Sequence, residues 1–150
     1  MVTGLLCWLG GFLGMEGVAW TAHKYLMHGP LWFLHRDHHR KESAGFLERN
    51  DLFFLVFALP GILLLYLGVV RGYSHLLWLG LGITSYGMAY FLVHDIFIHR
   101  RMKWFGKGQS AYMRMIRRAH RAHHKHLERQ DGECFGMLWV PLRFFKKRAG

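Results

Sequence analysis

Residues 23–39 read HKYLMHGPLWFLHRDHH, and the same grammar returns as HDIFIH at 94–99 and HRAHH at 120–124. Each copy is an HxxxxH pair followed by HxxHH, with six residues between the two parts in the first copy and twenty in the second. Ten of the twelve histidines belong to this pattern, and only His75 and His126 stand apart. Scattered core or surface histidines do not account for two copies of one five-residue pattern. Neutral imidazole is the commonest side-chain ligand of zinc, copper, iron and nickel. Ten exceed the four donors of one tetrahedral zinc, so two metal ions are the expected count.

On a helix the histidines of HxxHH fall at about 0°, −60° and +40°, one arc from which all three can converge on one metal. The HxxxxH pair is about 140° apart on a regular helix and converges only if the helix ends or bends between its members. After His28, Gly29 and Pro30 supply such an end, because the residue before proline is pushed out of the α region. No comparable breaker separates His94 from His99, and the local sequence gives no account of how His99 turns inward.

Away from the histidines the chain divides sharply. Hydrophobic residues make up 52% of it and aromatics 16%, yet the formal net charge is +11. Residues 52–70 (LFFLVFALPGILLLYLGVV) and 72–93 (GYSHLLWLGLGITSYGMAYFLV) carry no charge, and 2–22 is interrupted only by Glu16. At about 1.5 Å per residue each can cross a hydrocarbon core about 30 Å thick. The first lacks a basic leader and a small-residue cleavage site, so a retained membrane helix is expected rather than a signal peptide. The 150 residues are read as a single membrane-embedded domain.

Of the twenty Lys and Arg, fourteen lie from Arg100 onward, five between Lys24 and Arg49, and one at Arg71. The positive-inside rule then places 23–51 and 94–150 in the cytoplasm. Three crossings satisfy this parity and bring both clusters to one face; a fourth helix would be re-entrant or interfacial. The expected fold is an all-α integral membrane protein with three or four membrane helices and a cytoplasmic helical cap carrying a dinuclear metal site. Cys7 and Cys134 form no metal or redox motif, and no GxGxxG or GxxxxGK[ST] signals a nucleotide. Neither haem nor flavin is expected.

Several single residues carry expectations. Glu16, costly in mid-membrane, is read as structural or proton-holding rather than as a ligand. Leu31 to Arg40 is expected as a short helix with Trp32 and Phe33 away from the inward histidines and Asp37 solvated. Asn50 or Asp51 should cap the second span, and Pro60 should kink it. Tyr86, Tyr90 and His94 recur every four residues, a stripe that is either packing or the wall of an access path from the bilayer. Asp95 either orients an imidazole from outside the ligand shell or pairs with Arg100 or Arg101. Trp104 and Phe105 should anchor the connector at the interface. A helix over 110–128 should turn Met113, Ile116, His120, His123 and His124 inward and Arg114, Arg117, Arg118 and Arg121 mostly outward. The apolar tail 134–145 should fold back over the site, leaving 146–148 in water. The basic face suits lipid headgroups or an acidic protein; its place beside membrane spans argues against nucleic acid.

Histidine clusters at a membrane surface suit oxygen chemistry by iron on a C–H bond presented from within the bilayer. The segments EGVAWTAHKYLMHG (16–29), FLHRDHH (33–39), ERNDLFFLVFALPGILLLYLG (48–68), AYFLVHDIFIHRR (89–101), AHRAHH (119–124) and CFGMLWVP (134–141) resemble, in order, the bacterial-type β-carotene hydroxylases of the fatty acid hydroxylase superfamily. One departure is Ile96, where glycine is expected after the HD pair. The resemblance implies a non-haem di-iron monooxygenase that hydroxylates C3 of each β-ionone ring, from β-carotene through β-cryptoxanthin to zeaxanthin, and in some members takes ketolated rings to astaxanthin. It implies O2 and a ferredoxin-type electron donor, a carotenoid substrate in a bacterial inner membrane, and a metal site facing the cytoplasm. It carries His23, His28, His35, His38, His39, His94, His99, His120, His123 and His124 as ligands of two iron ions, with zinc a substitute in purified material and no catalytic residue beyond the ligands. Alternatives are hydroxylation or desaturation of a fatty acyl chain or sterol, and, outside enzymes, a membrane metal transporter or metal-binding protein.

Overall fold

The computed structural model describes residues 1–40, 45, 47–102, 110–130 and 132–145, and every regular element within them is helical. Helix α1 (Val2–Thr21) runs into a π turn (Ala22–Met27), and α2 (Trp32–His39) follows. A 3₁₀ turn (Arg49–Asp51) opens α3 (Leu52–Val70), which continues through Pro60. Helix α4 (Ser74–Tyr90) runs into a second π turn (Phe91–Ile98), and α5 (Ala111–Lys125) precedes the tail with its 3₁₀ turn Leu142–Phe144. The expected anchors Trp104 and Phe105, most of the connector around them, and 146–148 lie outside the described residues.

Three helices are long and apolar enough to cross a membrane: Val2–Met27, Arg49–Val70 and Ser74–Ile98. Helix α4 is central, packed against α1 on one side and α3 on the other. Leu6 and Leu13 of α1 and Leu59 and Ile62 of α3 point outward, as a lipid solvent permits. The glycines of α1 divide by face. A Cβ at Gly82 would stand 2.2 Å from the Trp8 carbonyl and one at Gly11 2.6 Å from that of Leu79, so α1 and α4 meet only because both are glycine. Gly10, Gly14 and Gly17 face open space.

The best-packed interior lies at the histidine end, where Met115, Ile116, Ala119 and Val140 are buried with Val93, Ile98, Cys134 and Phe144 against them. The tail thus folds back as its composition implies. Ser110 caps α5, its hydroxyl accepting from the Met113 amide at 3.1 Å. The inward face of α5 includes Met115, while Met113 is only half-buried. Arg117 and Arg118 are not outward: the Arg117 guanidinium lies 4.3 Å over the Phe97 ring, and Arg118 donates to the carbonyls of Phe144 and Phe145. Long aliphatic stems let both cover apolar surface at the edge of the cap.

Candidate metal centre

Both HxxxxH pairs lie on the π turns. A π turn bonds each amide to the carbonyl five residues back. The amide of His28 donates to the carbonyl of His23 at 3.0 Å, and that of His99 to the carbonyl of His94 at 2.9 Å. The five-residue spacing therefore matches one widened turn, which removes the 140° offset of a regular helix. His28 is brought round by this turn and not by the Gly29–Pro30 break, which only ends the helix after it. The same device turns His99 inward with no breaker present, and Ile96 is fully buried in that turn.

The imidazoles gather into two sets. His23, His28, His35, His39 and His123 form one, and His38, His94, His99 and His120 the other, with the ligating nitrogens of each set within 4.8 Å of one another. His124 packs its ring against His38, His39, His99 and His120 at 4.5–4.9 Å, and its buried Nε2 has no hydrogen-bond partner among the described residues. Each HxxHH is thus shared between the sets rather than converging on one centre. Residues i+3 and i+4 are about 100° apart on a helix, so a helix lodged between two centres gives i and i+4 to one and i+3 to the other. His38 and His123 are the crossing residues, and the sets abut, with the rings of His35 and His38 5.5 Å apart and those of His120 and His123 5.9 Å apart.

The ring nitrogens are sorted. Nδ1 of His23, His28, His39 and His123 donates to the carbonyls of Phe135, Arg129, His126 and Glu133 at 2.9–3.2 Å. Nδ1 of His35 donates to Asn50 Oδ1 at 2.6 Å, and Nδ1 of His38 to Glu48 Oε2 at 2.9 Å. Each such bond places the single proton of a neutral ring on Nδ1 and leaves Nε2 a bare lone pair. Those Nε2 atoms face one another: His23 to His35 at 3.0 Å, His28 to His123 at 3.3 Å and His39 to His35 at 3.2 Å. Two lone pairs cannot hydrogen-bond. Ligands about 2.0–2.1 Å from one ion stand about 3 Å apart, so the spacing fits nitrogens sharing a cation.

Burial keeps the rings neutral. Desolvation first, then like-charged neighbours, lowers His35 to about 3, His39 to about 4, and His99, His123 and His124 to about 2. His38 and His120 are likewise held well below the usual imidazole range.

Support around the two sets differs from expectation at several residues. Asp37 is 3% exposed, not solvated, and its Oδ2 accepts the Arg49 amide at 2.6 Å. Asn50 serves His35 rather than capping α3, and Asp51 makes no side-chain cap there, accepting instead the Glu48 amide at 2.9 Å. Asp95 pairs with Arg101 at 3.2 Å and stands 3.4 Å from Nδ1 of His94, which has no hydrogen-bond partner among the described residues. Arg101 also forks onto Asp51 at 2.7 and 2.8 Å, and these carboxylates raise its already high pKa. Trp32 lies against the rings of His28 and His39 at 5.0 and 5.3 Å.

Tyr90 lies 4.8 Å from the His94 ring. Tyr86 is buried, and its hydroxyl donates to Glu16 Oε2 at 2.8 Å. Glu16 joins neither set. A largely apolar cleft of about 700 Å³ opens on the flank of α1, lined by Phe12, Leu13, Trp20, Leu138 and Trp139, with Glu16 in its wall. Through Trp20 and Trp139 it adjoins a smaller cavity that reaches Phe135, whose ring stands 5.1–5.4 Å from His23, His28 and His123.

Residue-type patterns do not point to Glu48 or to the carbonyls of 126, 129, 133 and 135. The only signal for Glu48 is its place in the polar run ERND between a histidine cluster and an apolar span.

Residues 8–142 match the family model described as fatty acid hydroxylase. A β-carotene hydroxylase of Pantoea ananas is 42% identical, with 86% of this chain and 73% of that protein covered. A β-carotene hydroxylase of a Paracoccus species is 36% identical over 99% of this chain and 94% of its own length. A chloroplastic β-carotene 3-hydroxylase of an Oncidium hybrid cultivar is 42% identical over 87% of this chain and 43% of that protein. No solved structure matches the chain.

Proposed function

The chain belongs to the fatty acid hydroxylase family, and on that premise we propose that it is a membrane β-carotene 3-hydroxylase working through two iron ions. The observation that carries this reading is the convergence of two sets of imidazole nitrogens at the end of three apolar helices. Five nitrogens about one point exceed the four of a closed tetrahedral zinc site and suit a five- or six-coordinate redox ion. The ten motif histidines are the proposed ligands, with His23, His28, His35, His39 and His123 on one ion and His38, His94, His99, His120 and His124 on the other. When bound, such a metal pair supplies the activation of O2 needed to insert one oxygen atom into an unactivated C–H bond.

The protein's own part is positional. The carbonyls, the Asn50 amide and the Glu48 carboxylate behind Nδ1 of His23, His28, His35, His38, His39 and His123 hold those rings in one tautomer and aim them before a metal arrives. The tail and Phe135 cover the first set and exclude water. The apolar cleft beside Trp20 and Trp139 suits a rod-like polyene arriving sideways from the bilayer, with its ring toward Phe135. Tyr86 is then packing, since it is buried and tied to Glu16, while half-buried Tyr90 stays a candidate for the path beside His94. The basic residues favour a cytoplasmic metal site in a bacterial inner membrane. Arg121 and Lys125 on the exposed side of α5 would steer an acidic ferredoxin-type donor, raising the association rate about 10- to 10³-fold in a salt-sensitive way.

Expression in cells that accumulate β-carotene tests the assignment. β-Cryptoxanthin and zeaxanthin are the expected products. Unchanged β-carotene beside hydroxylated acyl chains or sterols would move the substrate to another lipid, and metal uptake without oxygen consumption would remove the enzyme reading.

A further inference from the structure

Glu16 sits on a membrane helix seven residues before His23, yet its contacts lie with the tail. Its Oε1 accepts three consecutive amides, those of Met137, Leu138 and Trp139, each at 2.9 Å. Its Oε2 accepts the Tyr86 hydroxyl at 2.8 Å, which fixes the carboxylate against α4. Successive amides wrapped on one oxygen form an anion nest, and the chain is shaped to make it. Cys134 has φ 61°, and a Cβ at Gly136 would stand 2.4 Å from the Trp139 carbonyl and 3.2 Å from Glu16 Oε1.

The stretch leading into this nest carries the carbonyls of Arg129, Glu133 and Phe135. They accept from Nδ1 of His28, His123 and His23 in turn, so three of the five imidazoles in the first set take their orientation from it. Other fasteners hold parts of it: Arg129 Nε donates to the His28 carbonyl at 3.0 Å, Tyr112 donates to the Leu138 carbonyl at 2.6 Å, and Arg143 pairs with Glu133. Besides the imidazole of His23 itself, Glu16 ties it to the helix that carries His23. Among the described residues, no imidazole of the second set has a hydrogen bond to this stretch.

We propose that Glu16 is a positioning residue of the metal centre, latching the tail so that its carbonyls aim His23, His28 and His123 while the second set is left untouched. The proposal rests on the two-ion reading above. Its test is a titration of detergent-purified apo-protein with Co²⁺, following stoichiometry and ligand-field absorption. Glu16→Leu removes the acceptor, and Gly136→Ala disturbs the nest without altering the membrane helix. Both should weaken one of two Co²⁺ sites by about 10- to 100-fold, the size seen when groups that orient a ligand are lost, and leave the other at wild-type affinity. Glu16→Gln, which keeps one carbonyl oxygen for the nest, should recover most of the loss. In a His38→Ala background, which impairs the second set, the remaining site should be the one that weakens. Wild-type affinity at both sites in Glu16→Leu, or equal loss at both, would overturn the latch. Wild-type protein that binds fewer than two Co²⁺ would instead overturn the two-ion reading.

Discussion

The two histidine sets share a ligand grammar but are held by different means. Nδ1 atoms of the first set donate mostly to backbone carbonyls, those of Arg129, Glu133, Phe135 and His126, with Asn50 the one side-chain acceptor. In the second set His38 donates to Glu48, a carboxylate within a charged group that includes Asp51, Asp95 and Arg101. The first set depends on where a length of chain lies, and the second on the placement of a few side chains. A carboxylate behind an imidazole also makes the ring a stronger donor to a metal than a neutral carbonyl does. The two sites should therefore differ in affinity although both offer imidazoles alone.

The largest effects should come from the crossing ligands. His38 lies in the first HxxHH but joins the second set, and His123 does the reverse. His38→Ala should remove the ion held with His94, His99 and His120, while His123→Ala removes the other. Each should leave about one metal per chain by elemental analysis and abolish carotenoid hydroxylation. Loss of both metals from His38→Ala would mean that the sets are one inseparable site, and the contrast between them would fail.

One step out, Glu48→Ala and Asn50→Ala separate the two kinds of support. Glu48→Ala strips the acceptor from His38 and should weaken the second site by about 10- to 100-fold. Asn50→Ala should act on the first site through His35 and cost less, because an amide acceptor is weaker than a carboxylate. Metal affinity at each site, titrated in detergent, decides it; equal losses would erase the distinction.

Acid should act on both sets, and more gently. Burial holds the rings below the ordinary imidazole value of about 6.5, at about 4 for His39, about 3 for His35 and about 2 for His99. Between those values and 6.5 the unfolded chain binds more protons than the folded one. Stability is thus fully present above about 6.5 and falls as pH drops through that window. Both sets hold such rings, His123 of the first standing as low as His99 of the second. Thermal midpoints of metal-free protein from pH 7 to pH 4 check the sign, and a midpoint that rose on acidification would contradict the buried neutral rings.

How much of this was legible in the sequence depends on the kind of group involved. The ten histidines and the three apolar spans carry their roles in residue type and spacing, so the helical membrane fold and the composition of the cluster could be read directly. The π turns were half-legible: the five-residue spacing of His94 and His99 is their period, but a regular helix is the default expectation and nothing between the two residues breaks it. The division of each HxxHH depends on a helix lying between two centres, a tertiary fact with no local signal. Asp37 looked solvated because it lies off the histidine arc, yet the Arg49 amide, twelve residues on, buries it. Backbone carbonyls carry no residue-type signal at all, which is why the supports of the first set were hidden while Glu48 left at least a charged trace.

The smallest effect is expected at the two histidines outside the pattern, and it tests whether backbone support is what it seems. His126 belongs to the first set's surroundings, since its carbonyl accepts from Nδ1 of His39 at 3.0 Å. A carbonyl survives replacement of the side chain, so His126→Ala should keep that bond, leave metal content at the wild-type level and alter unfolding by no more than about 0.5 kcal/mol. His75, exposed at the start of α4 and stacked on Tyr73 at 5.9 Å, should be equally tolerant. The informative outcome is a split between them. If His126→Ala loses first-site metal while His75→Ala does not, the imidazole of His126 takes part beside His39, and the first set is supported by side chains after all. If both are silent, the backbone carbonyl alone suffices there, and the contrast with the carboxylate behind His38 stands at the level of single atoms.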